Sequence, residues 1–378
     1  MNFKGRRIVF VLFNLELGGA ERQALILAKH LVQQEGAAVE VWGFNKSGPV
    51  AEICEKIGVP WRLESFPFKS DRGAQLAGIE RVAISLQRAR PDILLPYTFV
   101  PNVICGLVWQ QAGARTCVWN QRDEGVTPFV AEWARSAAQR APAFISNGSA
   151  GAEFLRDGLG VDPLKIRVIQ NGIEQSAANE NRSEWRAKLR IDDDTFVACM
   201  VANLHDNKDH ATLLRAWKRV VDQLNGRDAV LVLAGRHDGA YESLVSLSRD
   251  LELNGQVRFA GQVLDVPGLL SASDVGVFSS YLEGCPNAVL ESMAAGLAVA
   301  ATNIEAIRSL VGPGGMEFLA APKDDEALAG AILKLANDSD LRVTIGAENR
   351  QRVRDRYTAP RMCESTVAVI KEVLSNVP

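Results

Sequence analysis

No C-x-x-C pair occurs in this sequence. Its six cysteines, Cys54, Cys105, Cys117, Cys199, Cys285 and Cys363, are scattered, so neither a dithiol motif nor a zinc ribbon is spelled out. Isolated thiols predict reduced cysteines and a cytoplasmic setting. Histidine is scarce as well, with four in 378 residues. His205 and His210 lie five apart, off any shared helical face, and His30 and His237 stand alone, so no metal site is expected. Charge excess is also missing. A net charge of −3 excludes the basic composition of a nucleic-acid binder. No apolar run reaches the length of a membrane span, and MNFKGRRIVFVLF is too short for a span or a signal peptide. Any membrane contact is therefore expected to be peripheral. The G-x-G-x-x-G fingerprint of a dinucleotide fold is absent too, which argues against NAD.

What is present is ordinary globular material, 47% hydrophobic and 23% charged, in a chain long enough for two or three domains. Short apolar runs alternate with helical patterns. RIVFVLF (7–13), AVEVWGF (38–44), DILLPYT (92–98), ARTCVWN (114–120), AFISN (143–147) and KIRVIQNGI (165–173) read as strands of a first unit, with helices over 20–34 and 50–57. AANENRSEWRAKL (177–189) is polar and helix-prone and reads as a linker. The alternation then resumes with TFVACMVAN (195–203), AVLVLAG (229–235), QVRFAG (256–261), DVGVFSS (274–280) and LAVAAT (297–302). Helices over 209–224, 240–252, 266–272 and 287–295 separate these strands. Continuous Val, Ile and Leu runs without alternation are the mark of strands buried on both faces, hence of parallel sheets covered by helices. Two such sheets in tandem predict an active cleft between them, at the carboxyl ends of the strands. The expected division is 1–176, 177–358 and a terminal segment 359–378. In that segment a helix over 360–374, with Met362, Val367, Val369, Ile370 and Val373 on one face, is amphipathic enough to dock back onto the first domain.

The chemistry concentrates in SSYLEGCPNAVLESMAAG (279–296). Glu283 lies in the loop leaving a buried strand, and Pro286 suits the first position of the helix that follows. That helix starts with free amide hydrogens and a positive dipole end, a ready phosphate site. Glu291, about one turn in, can accept two hydroxyl hydrogen bonds such as a ribose diol offers, and Glu283 can do the same for a second sugar. The plainer alternative makes Glu291 a dipole-favoured acid and Glu283 a solvated one. Lys208, in VANLHDNKDH, is by composition alone a surface lysine. Gly18 and Gly19, before the first helix, allow close backbone approach to a ligand but equally suit a plain tight turn. Arg122, in VWNQRDEG, reads either as a functional cation or as a surface partner of Asp123 or Glu124.

Taken whole, SASDVGVFSSYLEGCPNAVLESMAAGLAVAAT resembles the donor-binding signature of retaining glycosyltransferases of the GT-B fold, and most closely their family 4. FNLELGGAERQALILAKHL is similar to that family's first Gly-rich loop and helix. FISNGSAGAEFLRDGLGVDPLKIRVIQNGIE and VRFAGQVLDVPGLLSASDV also resemble family segments, so the likeness covers nearly the whole chain. It implies two Rossmann-like domains facing across a cleft, with a nucleotide-diphosphate sugar as co-substrate and no other cofactor. The acceptor would be the hydroxyl of a sugar, a lipid-linked molecule or a small molecule, in polysaccharide, glycolipid or glycoconjugate synthesis. Carried over by residue, Glu291 would hold the ribose and Glu283 the transferred sugar. The backbone from Gly284 through Cys285, Pro286 and Asn287 to Ala288 would face the diphosphate, and Lys208 would neutralise it. Gly18 and Gly19 would close over the diphosphate from the first domain.

The chain departs from the family pattern at three places. Asn203 stands where an arginine is expected, Gln121 and Arg122 occupy the place of a histidine, and Asn303-Ile304-Glu305-Ala306 replaces a Gly-Gly-x-Glu segment. No Asp-x-Asp motif marks a metal-dependent transferase, so catalysis is expected without metal. A donor-binding module without turnover, or a sugar-nucleotide epimerase of similar architecture, are the competing readings. Arg81, Arg88 and Arg90 permit peripheral contact with the inner membrane face, though a solvated helix face accounts for them equally.

Overall fold

The structure, a computed structural model, describes residues 3–68, 70–123, 131–174, 177–224 and 226–376. The chain divides into two compact units, Met1–Gly172 with Ala359–Pro378, and Ile173–Thr358. The boundary expected between 176 and 177 abuts residues 175 and 176, which lie outside the described residues.

In the first unit the strands are β1 (Arg7–Leu12), β2 (Ala38–Gly43), β3 (Trp61–Leu63), β4 (Ile93–Pro96), β5 (Thr116–Gln121), β6 (Ala143–Ser146) and β7 (Ile166–Val168). They form one parallel sheet in the order β3-β2-β1-β4-β5-β6-β7. β4, β5 and β6 are buried at every position, as an apolar run without alternation requires when helices cover both faces. The strand expected over 165–173 stops at Val168, because it lies at the sheet edge. One face carries helix Gly19–Gln33 and the terminal helix Ala359–Ser375, whose Met362, Val367, Val369, Ile370 and Leu374 share a core with Ile8, Phe10 and Leu31. Lys371 pairs with Glu35 at 3.0 Å and holds that helix in register.

The second unit repeats the plan with β8 (Phe196–Val201), β9 (Ala229–Ala234), β10 (Val257–Gly261), β11 (Val275–Phe278), β12 (Ala298–Thr302) and β13 (Leu319–Ala320). Their order is β10-β9-β8-β11-β12-β13, again parallel. The chain passes from β8 to β9 and β10 on one side and later returns to β8's other side with β11. The carboxyl ends of β8 and β11 therefore border the crevice where an open parallel sheet reverses its winding. The polar stretch 177–189 holds a helix, Arg182–Leu189, started by a reciprocal capping box between Asn181 and Glu184.

Several elements have no clear sequence signal. β3 and β13 are edge strands of three and two residues. Helix Phe99–Val108 is buried along most of its length, so it lacks the polar face that reveals a helix by period.

Candidate functional site

Two loops meet at the crevice of the second unit. One leaves β8 and runs through Asn203 to Asp209; the other leaves β11 and runs from Ser279 to Pro286. Tyr281 N donates to Asn207 O at 3.1 Å, Ser280 Oγ to the same oxygen at 3.0 Å, and Ser279 Oγ to Asp209 O at 2.9 Å. Thr302, at the end of β12, closes the other side, accepting from Ser280 N and donating to Ser280 O, both at 3.0 Å. Three adjacent strand ends thus fix the loop in which Glu283 sits.

Glu283 and Lys208, 75 residues apart, form an ion pair through Oε1 and Nζ. The Ser280 hydroxyl, whose single proton is shared with Asn207 O, lies 2.7 Å from the same Oε1. The Lys208 ammonium also lies 5.5 Å from the centroid of the Phe278 ring. The pair is half-withdrawn from water, with the Glu283 side chain only 11% exposed and that of Lys208 22%. The expectation of a solvated lysine is therefore corrected. Both charges are oriented by a partner in a partly desolvated site, where each pair contact is stronger than at a surface.

Beyond Glu283 the chain passes half-buried Gly284 and buried Cys285 and enters helix Asn287–Ala294. Pro286 is the residue before the helix rather than its first member, with an extended ψ of 108° and no side-chain cap. Asn287 and Ala288 form the first turn, both half-buried. Glu291 is the fifth helical residue and lies past that first turn, so the macrodipole is not what accounts for it. Gly276 in β11 lets this helix lie close. A Cβ there would stand 2.8 Å from Ser292 Cβ.

Asn203 is half-buried at the end of β8, and its Oδ1 accepts the backbone N–H of Arg236 at 3.1 Å. His210 opens the helix that follows Lys208 and is 2% exposed, with neither ring nitrogen hydrogen-bonded. Burial, and then the nearby Lys208 charge, push its pKa down to about 4. His205 is exposed, its Nδ1 3.0 Å from Asn207 Oδ1. Glu305 begins a short helix and pairs with Arg308 at 2.7 Å on the surface. Among the described residues no group of three or more His, Cys, Asp or Glu is arranged to hold a metal ion.

In the first unit Arg122, just past β5, is 8% exposed. Its Nη1 donates to Asn171 Oδ1 at 3.1 Å, its Nη2 to Asn120 Oδ1 at 3.3 Å, and its guanidinium lies 4.9 Å from the Tyr97 ring centroid. Nε has no partner. Asp123 is turned away, bonded to Phe99 N at 2.9 Å and to Gln121 Nε2 at 2.6 Å. Glu124 lies outside the described residues. The surface pair with Asp123 is thus corrected to a buried cation held by neutral amides. Burial pushes the Tyr97 phenol up to about 12, partly offset by Arg122. Gly18 is the extended residue before helix Gly19–Gln33, so no left-handed turn is needed there, and a Cβ would stand 2.6 Å from the Glu21 carboxylate. Tyr97 and Asn171, the partners that set Arg122's environment, carry no motif and were not legible in the sequence.

Solved structures share this architecture. A crystal structure of Anabaena HepE in complex with UDP and glucose superposes with a TM-score of 0.83 at 20% identity, covering 97% of this chain and 100% of that one. The lipopolysaccharide-biosynthesis glycosyltransferase WaaG superposes at 0.75, with 18% identity over 96% and 99%. The fold is therefore GT-B, two Rossmann-like parallel-sheet domains. Two family models match in succession, Glycosyltransferase Family 4 over residues 17–176 and Glycosyl transferases group 1 over 181–352. The chain belongs to this family, the group 1, family 4 glycosyltransferases.

Among curated relatives, the UDP-Gal:α-D-GlcNAc-diphosphoundecaprenol α-1,3-galactosyltransferase of Escherichia coli is 30% identical over 186 residues, 48% of each chain. The lipopolysaccharide core biosynthesis glycosyltransferase LpsE of Rhizobium meliloti (strain 1021) is 32% identical over 205 residues, 51% of this chain and 56% of that one. These alignments span about half the length of the relatives.

Proposed function

We propose that this chain moves a hexose from a nucleotide-diphosphate sugar to a hydroxyl acceptor with retention of anomeric configuration and without a metal ion. The observation that carries this reading is the Lys208–Glu283 pair beside the start of helix Asn287–Ala294. Glu291 binds the ribose hydroxyls, Glu283 the hydroxyls of the sugar, and the backbone from Gly284 to Ala288 faces the diphosphate. Lys208 shares its charge between Glu283 and the departing phosphate. In the first unit the residues assigned to this function are Gly18 and Gly19, for the diphosphate, and Arg122, as a catalytic cation.

In the reaction the bond from the sugar C1 to the phosphate oxygen breaks and a bond from C1 to the acceptor oxygen forms on the same face. The acceptor proton passes to the leaving nucleoside diphosphate. Positioning and fixed charge carry such a step, because the bond that breaks leaves its electrons on an oxygen already held by amides and an ammonium. The relatives named above work in lipopolysaccharide and lipid-linked sugar chemistry, which supports a polysaccharide or glycolipid acceptor met at the cytoplasmic membrane face. Arg81, Arg88 and Arg90 permit a peripheral contact there. Among the described residues no helix is long and apolar enough to cross a membrane.

A panel of UDP-, GDP- and ADP-sugars, offered with and without hydroxyl acceptors, tests this. Acceptor-dependent nucleotide release, with a product of unchanged anomeric configuration by NMR, is expected. Binding with no release on any acceptor would make the chain a donor-binding module, and an isomerised sugar without acceptor would make it an epimerase. Glu291→Ala should weaken nucleotide binding by about 1–3 kcal/mol through lost charged hydrogen bonds. Unchanged affinity in that variant would sink the ribose assignment.

A further inference from the structure

Arg122 is a cation for which the first unit supplies no counter-charge. It is 8% exposed, and among the described residues its partners are neutral: Asn171 Oδ1, Asn120 Oδ1 and the Tyr97 ring. Of the five N–H donors of a guanidinium two are spent on those amides, and the buried Nε has no partner. The hydroxyl of Tyr97 is likewise buried without a partner.

The frame around this cation is set in advance. Asn120 spends its Nδ2 on Val118 O at 2.9 Å, which leaves its Oδ1 for Arg122. Asn102 grips the Asn120 backbone through both N and O, at 3.0 and 2.8 Å. Asn171 is fixed through its neighbour, since Gly172 N and O both bond to the side-chain amide of Gln23, each at 3.0 Å. Gln23, Asn102 and Asn120 are almost wholly buried, so water does not compete for these bonds. Tyr97 and Arg122 directly follow β4 and β5, and β4 lies on the opposite side of β1 from β2. The first sheet thus reverses its winding between β1 and β4, where an open parallel sheet takes a ligand beyond its carboxyl ends. A buried charge without a carboxylate is costly, and an oxyanion bound there would offset the cost.

The function proposed above gives the donor diphosphate its cation in the second unit, Lys208, beside the start of helix Asn287–Ala294. The other substrate is left to supply an anion for Arg122. We propose that Arg122 recognises an oxyanion carried by the acceptor, a phosphate or a carboxylate, so that the acceptor is a charged sugar derivative and not a neutral one. The inference rests on the transferase reading of this chain. A guanidinium suits the task because its planar fork binds two oxygens of such a group at once.

Matched acceptors test it on the full chain. A hexose is offered as its neutral octyl glycoside, as its prenyl diphosphate, and as the octyl glycoside of its uronic acid, with kcat/KM measured for each. Wild type should favour at least one charged acceptor over the neutral one by roughly 10- to 100-fold, as charged hydrogen bonds do, and the two charged arms distinguish phosphate from carboxylate. Arg122→Gln should erase that preference while the KM of the donor stays within about twofold. Arg122→Lys keeps the charge without the fork and should retain part of the preference, which also serves if the glutamine variant fails to fold. A wild type indifferent to acceptor charge would overturn the inference and leave the transferase reading standing. Equal loss on charged and neutral acceptors in Arg122→Gln would reveal a residue that does not read the anion, and would overturn it too. A raised donor KM with acceptor preference intact would assign the cation to the donor instead. Transfer to none of the acceptors would overturn both readings.

Discussion

Among the described residues each unit buries one arginine, and the two are held in opposite ways. Arg186 in the second unit is 1% exposed and uses its whole guanidinium. Nε donates to Ala272 O at 3.1 Å, Nη1 to the carbonyls of Asp192, Asp193 and Thr195 at 2.8, 2.8 and 3.0 Å, and Nη2 to Asp274 Oδ2 at 3.1 Å. Asp274 also takes Val197 N at 2.8 Å, so the arginine ties the helix Arg182–Leu189 to the amino ends of β8 and β11. Arg122 in the first unit has two neutral amides, an aromatic face and an unpaired Nε. The saturated, charge-balanced arginine serves the fold; the buried one without a carboxylate is the one to which the function proposed above gives a ligand-facing role. Burial costs both of them solvation, and only in the first case does the protein itself return it.

The sharpest test of that contrast is Arg186→Ala. It strands Asp274 and several carbonyls, and should cost about 3–5 kcal/mol in urea unfolding, the usual cost of breaking a buried pair. Arg122→Ala comes next. Transferase turnover should fall by roughly 100-fold or more, with the unfolding midpoint much less affected than in Arg186→Ala. Equal destabilisation by the two substitutions would erase the distinction.

His210 extends the comparison to a group that avoids the problem by staying neutral. Its pKa is about 4 in the folded state against 6.5 as the ordinary value, so the unfolded chain binds a proton first as pH falls. Stability should accordingly decline between about pH 6.5 and 4, by about 3 kcal/mol over the whole window, and His210→Gln should flatten that part of the profile. A wild-type profile that is already flat across the window would contradict the neutral, buried assignment. The smallest effect belongs to the exposed Glu305–Arg308 pair. Glu305→Ala should move stability by no more than about 0.5 kcal/mol, which thermal unfolding at low and high salt can check.

Much of the architecture could be read before any coordinates. Continuous apolar runs at 7–13, 195–203 and 229–235 became β1, β8 and β9 with ends moved by a residue or two, because strands buried on both faces leave little choice of composition. Edge strands β3 and β13 escaped notice, since three or two residues beside a single neighbour need no such pattern. The buried helix Phe99–Val108 escaped because it has little polar side. At the candidate site the stretch 279–296 was legible as chemistry. Glutamate among small apolar residues, before a Pro-Asn helix start, is costly unless something is bound or paired.

By itself the sequence determined the alternation of strand and helix, the GT-B architecture, the loops after strand ends in which Lys208 and Glu283 fall, and the helix that carries Glu291. Which of these groups meet was decided by the order of strands in the sheet. β8 lies between β9 and β11, so Lys208 finds Glu283 on one side and Asn203 finds Arg236 on the other. Spacing along a chain sets which face a residue takes within its own element. Contacts across 75 or 33 positions follow from which strands hydrogen-bond side by side, and no local pattern carries that information.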